Sequence, residues 1–303
     1  MTKENSVSGC VFHPGYPVNL RLTLGGVKGL RFGDDSSLPA GAWWATRTPE
    51  GPATLHLAAD RGSIQAAAWG EGSQWALAQV PGLLGDCDEP GEFAPDHPVL
   101  QRLQKELRGL RLGRTDRVFE ALTPTILEQK VTGKEAARSY RRLVKRYGHQ
   151  APGPYELMVP PSPETLRRLP YYDLHPLGVE RRRATTLQEA ASRASRLEEV
   201  SALGRDEGYR RLQAVPGVGP WTAAKVMAAA TGDPDAVPVG DYHLPNIVAW
   251  ALAGEPRADD ERMLELLESY RGQRGRVIRM LKMAGVSAPA YGPRVPLREF
   301  ERA

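Results

Sequence analysis

The spacing of apolar residues changes near residue 97, and this change divides the chain into two parts. Before it, apolar and polar residues alternate with the period of two that is typical of strands, as in VNLRLTLGG (18–26) and ATLHLAADRGSIQAAAW (53–69). After it, apolar residues recur at helical spacing. We therefore predict an α+β fold with an antiparallel-sheet domain over residues 1–96 and an all-helical domain over residues 97–303.

Glycine and proline support this division. The stretch PGLLGDCDEPGEFAPDHP (81–98) is rich in Pro, Gly and acidic residues, as domain boundaries often are. The stretch FGDDSSLPAG (32–41) indicates a turn within the sheet domain. In the second part, the pattern predicts a helix from Gly133 to Tyr147 that ends at Gly148.

Composition mainly excludes classes of protein. The 303 residues are 41% apolar and 25% charged, and no stretch approaches the roughly 20 consecutive apolar residues of a membrane helix. The first ten residues lack the pattern of a signal peptide. Cys10 and Cys87 are the only cysteines, which excludes a disulfide framework and a four-cysteine zinc or iron–sulfur site. We expect a cytoplasmic protein with no membrane partner.

Charge is distributed unevenly between the two parts. Residues 1–98 contain 6 Lys and Arg against 11 Asp and Glu, whereas the remainder contains 34 against 25. A basic second part is compatible with a polyanionic partner, although solvated helix faces explain the same counts.

The most specific motif is LQAVPGVGPW (212–221), which joins two predicted helices through a turn. Gly217 and Gly219 permit positive φ angles and leave backbone amides uncovered. Pro220 suits the first position of the following helix, where its missing amide has no cost. Free amides at a helix N-terminus form an anion site that a phosphate can approach closely. The alternative is a tight turn that binds nothing.

The residues LQAVPGVGPWTAAKV (212–226) and VPVGDYHLP (237–245) together resemble the helix–hairpin–helix DNA glycosylase superfamily, in particular its 3-methyladenine DNA glycosylase II-like branch. The resemblance extends from about His97 to the end of the chain and implies two helical lobes with the active-site cleft between them. It implies that the hairpin holds a DNA phosphate through the backbone amides of Gly217, Gly219 and Trp221, with Thr222 beside them. It also implies a monovalent cation, in the DNA-bound state, on the carbonyl groups of Gln213, Val215 and Val218.

The same resemblance assigns the chemistry to Asp241, which lies 20 residues after Trp221. Cleavage of an N-glycosidic bond passes through a sugar with oxocarbenium character, so a carboxylate near C1′ is needed. A helix N-cap is the alternative role for Asp241. Bifunctional relatives carry a nucleophilic lysine at the position of Trp221, so this chain is predicted to release bases without strand cleavage. A core tryptophan is the alternative for Trp221.

Further residues are assigned to DNA contact. ILEQKVT (126–132) resembles the segment that enters the minor groove and fills the gap left by the flipped nucleotide. Gln129 matches the family's glutamine, whereas Lys130 replaces a bulky apolar residue. Lys134 opens a basic stripe on the next helix, which suits phosphates or solvent. Glu128 matches no family residue.

The base pocket is expected to contain Trp221, Lys225, Tyr242 and Gln273. The branch has a tyrosine at the position of Lys225 and a tryptophan near that of Gln273, and aromatic walls attract cationic alkylated purines. These departures weaken the preference for such bases.

We predict a monofunctional DNA glycosylase of base excision repair that removes alkylated bases of the 3-methyladenine or 7-methylguanine type. One alternative is the same mechanism on an oxidised or bulky lesion, and another is a non-catalytic DNA-binding protein. The expected partner is damaged double-stranded DNA in the nucleoid, the expected state is a monomer, and no cofactor is expected beyond the monovalent cation.

Overall fold

A five-stranded antiparallel sheet forms the N-terminal part of the protein. The computed structural model describes residues 7–33 and 38–289, so part of the predicted turn over 32–41 lies outside the described residues. The strands are β1 (Val7–Phe12), β2 (Leu30–Gly33), β3 (Gly41–Thr48), β4 (Gly51–Asp60) and β5 (Ser63–Trp69), in the order β1-β5-β4-β3-β2. The strand–turn–strand prediction for residues 53–69 is confirmed by β4 and β5.

One strand prediction is wrong. The segment 18–26 contains a short helix, α1 (Leu20–Leu24), in place of an alternating strand. The Asn19 side chain accepts a hydrogen bond from the amide of Leu22 at 3.1 Å, and this N-cap favours a helical turn. Thr23 and Leu24 are its buried residues, so adjacent positions face the core, which a strand does not permit.

Helices dominate the rest of the described chain. After α2 (Ser73–Ala78) and α3 (Val80–Leu83), they are α4 (Pro98–Glu106), α5 (Val118–Leu127), α6 (Gly133–Tyr147), α7 (Pro163–Arg168), α8 (Tyr171–Leu174), α9 (Arg181–Ser192), α10 (Ala194–Glu198), α11 (Arg205–Gln213), α12 (Pro220–Ala230), α13 (Leu244–Ala253), α14 (Asp260–Leu267) and α15 (Arg274–Met283). The predicted bounds of α6 are confirmed; Thr132 and Glu135 form a capping box at its start. Within the described residues, none of the helices could span a bilayer.

The helical part also contains a small sheet, which corrects the prediction that it is all-helical. Strands β6 (His149–Gln150) and β7 (Met158–Val159) pair within the proline-rich segment. Val159 and Leu157 pack with Trp43 of β3 in one apolar cluster. The pairing satisfies backbone groups while these side chains cover the outer face of the N-terminal sheet.

The apolar side chains of the helical part form two main clusters. One contains residues of α5, α9, α11 and α12, between Val118 and Ala230. The other joins α4 to α13, α14 and α15. The segment between Ala230 and Leu244 therefore connects two cores, and it carries the predicted catalytic aspartate. The domain boundary at residue 97 stays a prediction.

A buried ion pair connects the segment after the sheet with the last helix. The side chains of Asp88 and Arg276 are 2% and 3% exposed, and Arg276 Nη1 lies 3.3 Å from Asp88 Oδ2. Asp88 Oδ2 also accepts the amide of Leu112 at 3.0 Å. Removal of one partner of a buried ion pair lowers the stability of the fold, because the other charge stays buried without compensation.

We expect Asp88→Ala to lower the free energy of unfolding by about 3–5 kcal/mol, because it leaves the Arg276 guanidinium buried without its carboxylate. Urea denaturation followed by circular dichroism measures this change. Asp60→Ala, at an exposed position, is the control. A loss for Asp88→Ala no greater than that of the control would show that the pair does not hold these elements together.

Candidate active site

The turn between α11 and α12 presents bare backbone, and its two glycines have different reasons to be there. Gly217 has a φ of +88°, and a Cβ at this position would overlap the side chain of Thr186 on α9. Gly219 has an extended backbone with a φ of −97°, and a Cβ there would meet nothing within 4 Å. The fold therefore requires glycine at 217, whereas glycine at 219 keeps a surface open.

The open surface lies at the N-terminus of α12. Gly219 is the N-cap of this helix, and no side chain caps it. The first amides of a helix, here including those of Trp221 and Thr222, lack intrahelical acceptors and carry the positive end of the helix dipole. An anion can satisfy them.

The carbonyl oxygens of the same turn are uncharged groups that can coordinate a cation. The carbonyl of Val215 accepts the amide of Val218 at 3.0 Å, which leaves it a second lone pair. Gln213 is the last residue of α11, so its carbonyl lies among those without an intrahelical donor. Such carbonyl oxygens suit a monovalent cation, because they can replace its hydration water.

Asp241 is held by three hydrogen bonds at the entrance to α13. Its Oδ1 accepts the amides of His243 and Leu244, both at 3.0 Å, and its Oδ2 accepts the indole Nε1–H of Trp221 at 3.0 Å. The N-cap of α13 is His243, so Asp241 lies two residues before the cap position; its carboxylate nevertheless accepts the first amides of this helix and also contacts the helix of the hairpin. The bonds from α12 and α13 fix the position of the carboxylate.

These bonds also set its protonation. Burial by itself would raise the pKa of Asp241, but the hydrogen bonds from Trp221 and His243 and the charge of Lys282 hold the pKa below its ordinary value of 3.8. The group is therefore an anion at neutral pH.

Acidic side chains anchor the segment that precedes Asp241. Asp233 accepts hydrogen bonds from Tyr209 at 2.9 Å and from Arg205 Nε at 3.1 Å. Asp235 accepts the amide of Gly272 at 2.9 Å and Nε of Arg274 at 2.7 Å. The segment is thereby tied both to α11 and to the start of α15.

A cluster of charges lies beside Trp221. Glu128, at the end of α5, forms ion pairs with Lys225 of α12 and with Lys28, whose Nζ is 2.8 Å from Oε1. Lys225 Nζ lies 4.5 Å from the centre of the Trp221 ring. Burial would raise the pKa of Glu128, but Lys225 and Lys28 hold it below its ordinary value.

Gln129 and Lys130 follow Glu128 and have different surroundings. Gln129 Nε2 donates to the carbonyl of Gly217 at 3.0 Å and to the hydroxyl of Thr222 at 2.9 Å. Its amide therefore braces the hairpin. Lys130 is exposed with a φ of +56°, at the tip of the turn, and Lys134 is exposed in the first turn of α6.

The other two expected pocket residues, Tyr242 and Gln273, have different surroundings. Tyr242 is next to Asp241 but 83% exposed, with its ring edge-on to that of His243. The Gln273 side chain accepts a hydrogen bond from Arg276 at 2.7 Å. Gln273 is the N-cap of α15, about 13 Å along the helix axis from Lys282, whose charge acts on Asp241. The hydrogen bond from Arg276 thus engages the side-chain oxygen of Gln273.

Two residues at the site, Lys28 and Lys282, were not identified from the sequence, and Glu128 matched no family residue there, so that a buried or lesion-facing carboxylate and a solvated one were both open. Lys28 lies in a turn of the N-terminal part and is 100 positions before Glu128. No local pattern distinguishes these residues from other surface charges. Only the fold places them together.

We expect Trp221→Phe to raise the pKa of Asp241, because it keeps an aromatic ring but removes one of three hydrogen bonds to the ionised carboxylate. Carboxyl-carbon NMR titration of the wild type and the variant measures the shift. Assignment by Asp241→Asn identifies the signal. An unchanged pKa in Trp221→Phe would show that the indole does not hold the anion.

Comparison with known proteins gives a family for this site. Residues 124–271, which include the hairpin, Asp241 and Glu128, match the model of the HhH-GPD superfamily base excision DNA repair protein.

Two curated relatives match about half of the chain or less. The probable bifunctional transcriptional activator/DNA repair enzyme AlkA of Mycobacterium tuberculosis is 31% identical over 149 residues, which are 48% of this chain and 30% of the relative. The putative DNA-3-methyladenine glycosylase YfjP of Bacillus subtilis is 27% identical over 135 residues, 43% of this chain and 46% of the relative. The chain thus matches less than half of the length of either protein.

Solved structures match nearly the whole chain in fold. The 3-methyladenine DNA glycosylase of Archaeoglobus fulgidus superimposes with a TM-score of 0.74 at 20% identity, over 90% of this chain and 97% of that one. The 8-oxoguanine glycosylase/lyase of Clostridium acetobutylicum, in complex with DNA, gives 0.71 at 15% identity, over 92% and 97%. At these identities the likeness concerns the fold, and it confirms the α+β class. The hairpin and Asp241 thus lie in the segment, residues 124–271, that matches the HhH-GPD superfamily of base excision DNA repair proteins, and the two curated relatives of this chain carry the names AlkA and YfjP.

Proposed function

We propose that this protein is a monofunctional DNA glycosylase that flips a damaged base out of duplex DNA and releases it with water. The observation that carries the proposal is the ionised carboxylate of Asp241, fixed by Trp221 and by the amides of His243 and Leu244. A protein that only binds DNA has no use for a carboxylate held beside an anion-binding hairpin, since it would repel the backbone.

The chemistry follows from the charge of Asp241. As the C1′–N bond of the flipped nucleotide lengthens, the sugar gains oxocarbenium character. A carboxylate anion near C1′ stabilises this cation and orients the water that attacks it. The water oxygen becomes the C1′ hydroxyl of the abasic site and the water loses one proton; a cationic base departs as a neutral molecule, whereas an uncharged base takes up a proton as it departs.

The absence of lyase chemistry is part of the proposal. A lyase of this family forms a Schiff base through a lysine two residues after the second hairpin glycine, and Trp221 cannot replace that amine. The nearby amine of Lys225 is ion-paired with Glu128. We therefore propose that the product is an intact strand with an abasic site.

We propose that the hairpin binds the DNA backbone. The uncapped amides at Gly219, Trp221 and Thr222 would hold one phosphate. A monovalent cation on the carbonyl groups of the turn would add positive charge toward the same phosphate. Lys130, at the exposed tip, would enter the gap left by the flipped nucleotide, and Lys134 would contact a phosphate.

The name of the Bacillus subtilis relative, a putative DNA-3-methyladenine glycosylase, points to alkylated bases, which are the first candidate class of substrate. One observation favours a second class. The ammonium of Lys225 lies over one face of the Trp221 ring, so that face is not available to a cationic methylpurine, which favours an uncharged lesion. Both classes of lesion occur in chromosomal DNA, so either substrate agrees with the expected location at the nucleoid.

We expect Asp241→Asn to reduce base release by about 100- to 1000-fold or more, because the amide carries no charge to stabilise the sugar cation. Asparagine is also a good helix cap, so the fold should be retained. Mass spectrometry of free bases released from methylated DNA, and from duplexes with oxidised or deaminated bases, measures the activity. Full activity in the variant would contradict the catalytic role.

The hairpin is tested by its two glycines. We expect Gly219→Ala to weaken binding to a duplex with an abasic-site analogue by about tenfold, with no loss of stability, because its Cβ intrudes only on the phosphate position. Gly217→Ala should instead lower the free energy of unfolding by about 1–3 kcal/mol through its positive φ. Fluorescence anisotropy and urea denaturation separate the two effects. Unchanged binding by Gly219→Ala would show that this hairpin does not contact the DNA.

A further inference from the structure

Three charged side chains from distant parts of the sequence meet beside the proposed base site. Lys28 comes from the turn after α1, Glu128 from the end of α5 and Lys225 from the second turn of α12. The Glu128 and Lys225 side chains are 15% and 26% exposed, and that of Lys28 is 51% exposed. The cluster is thus partly withdrawn from water, with its exposed lysine on the outside.

The cluster carries one net positive charge beside Trp221, because two ammonium groups surround one carboxylate. Lys225 Nζ is held by Glu128 and lies 4.5 Å from the centre of the Trp221 ring. The indole of the same Trp221 donates to Asp241, so this ring connects the lysine to the reacting carboxylate. Trp221 therefore already has a cation against its π face.

This arrangement is unsuited to a cationic base. A methylpurine that carries a positive charge gains affinity from an aromatic face, but here the protein's own ammonium occupies one. The net positive charge of the two lysines and Glu128 would repel a second cation in this partly dehydrated site. An uncharged purine with carbonyl or ring-nitrogen acceptors would instead be attracted to Lys225, because an ammonium donates hydrogen bonds to such atoms.

We infer that the site selects uncharged purine lesions, and that Lys225 is the residue that discriminates them and assists their departure. The inference rests on the proposed glycosylase activity and specifies its substrate class.

The assistance follows from the charge of the leaving group. A cationic base leaves as a neutral molecule, whereas an uncharged base takes the electron pair of the C1′–N9 bond and leaves as an anion. The Lys225 ammonium would donate a hydrogen bond, and then a proton, to this departing base. The attacking water gives its oxygen to C1′ and loses one proton, which restores the ammonium. Glu128 is a positioning residue, because it acts on the base only through Lys225.

The test compares two classes of substrate under single-turnover conditions with full-length protein. Duplexes with one hypoxanthine or one 8-oxoguanine provide uncharged lesions, and methylated duplex DNA provides 7-methylguanine and 3-methyladenine. We expect the wild type to release at least one uncharged lesion about tenfold faster than either methylpurine. Lys225→Met should slow release of that lesion by about 100-fold while release of methylpurines is unchanged or faster.

Control variants separate discrimination from a structural role. Lys225→Arg keeps the charge and should retain the preference for uncharged bases. Lys105→Met removes one lysine at an exposed position of α4 and should change neither class. Glu128→Gln should reduce release of the uncharged lesion, with partial recovery in Glu128→Asp. Melting temperatures show whether each variant is folded.

The possible outcomes are distinct. A change of preference in Lys225→Met, with the preference retained in Lys225→Arg, supports the inference. Faster release of methylpurines by the wild type, or an equal loss on both classes in a folded Lys225→Met, overturns it and leaves the proposed glycosylase activity intact. Release of no base from any substrate by the folded wild type would instead refute the proposed activity.

Discussion

The hydrogen bond from the Trp221 indole to Asp241 is the contact on which the site depends. It joins the helix that follows the hairpin to the segment between the two apolar cores of the helical part. The hairpin and the carboxylate would otherwise belong to different packing units. Anchoring of Asp233 and Asp235 by arginines and by Tyr209 keeps the connecting segment in place, so that the carboxylate has one position.

The hairpin combines two requirements that conflict in most turns. It must be rigid, and it must leave backbone amides uncovered. Gly217 provides rigidity, because its positive φ and its close approach to Thr186 lock the turn against α9. Gly219 provides the open surface, because no neighbour needs the space where its side chain would be. The Gln129 side chain braces the turn from α5 without covering the start of α12.

The N-terminal sheet part contributes to the site as well as to stability. Lys28 completes the charge cluster on Glu128, and Asp88 binds Arg276 of the last helix in the interior. Lys282, whose charge acts on Asp241, lies on the helix that Arg276 ties to Asp88. The ion pairs of Glu128 beside Trp221 include Lys28, so both features depend on contacts between the two parts of the chain. A free helical part would lose one counter-charge of Glu128 and expose Arg276.

The sequence by itself determined the features that depend on short spacings. The turn LQAVPGVGPW predicted the hairpin, the bounds of α6 followed from its flanking residues, and the distance from Trp221 to Asp241 together with a family resemblance indicated the aspartate. Tertiary structure decided the features that depend on packing. The alternating leucines after Val18 form a helix, because its cap and its burial outweigh a period of two. The Gln273 side chain bonds to Arg276, whereas Lys28, Glu128 and Lys225 come together although about 100 residues separate each from the next. Charged side chains carry no periodic signal of their partners, so only the folded chain can pair them.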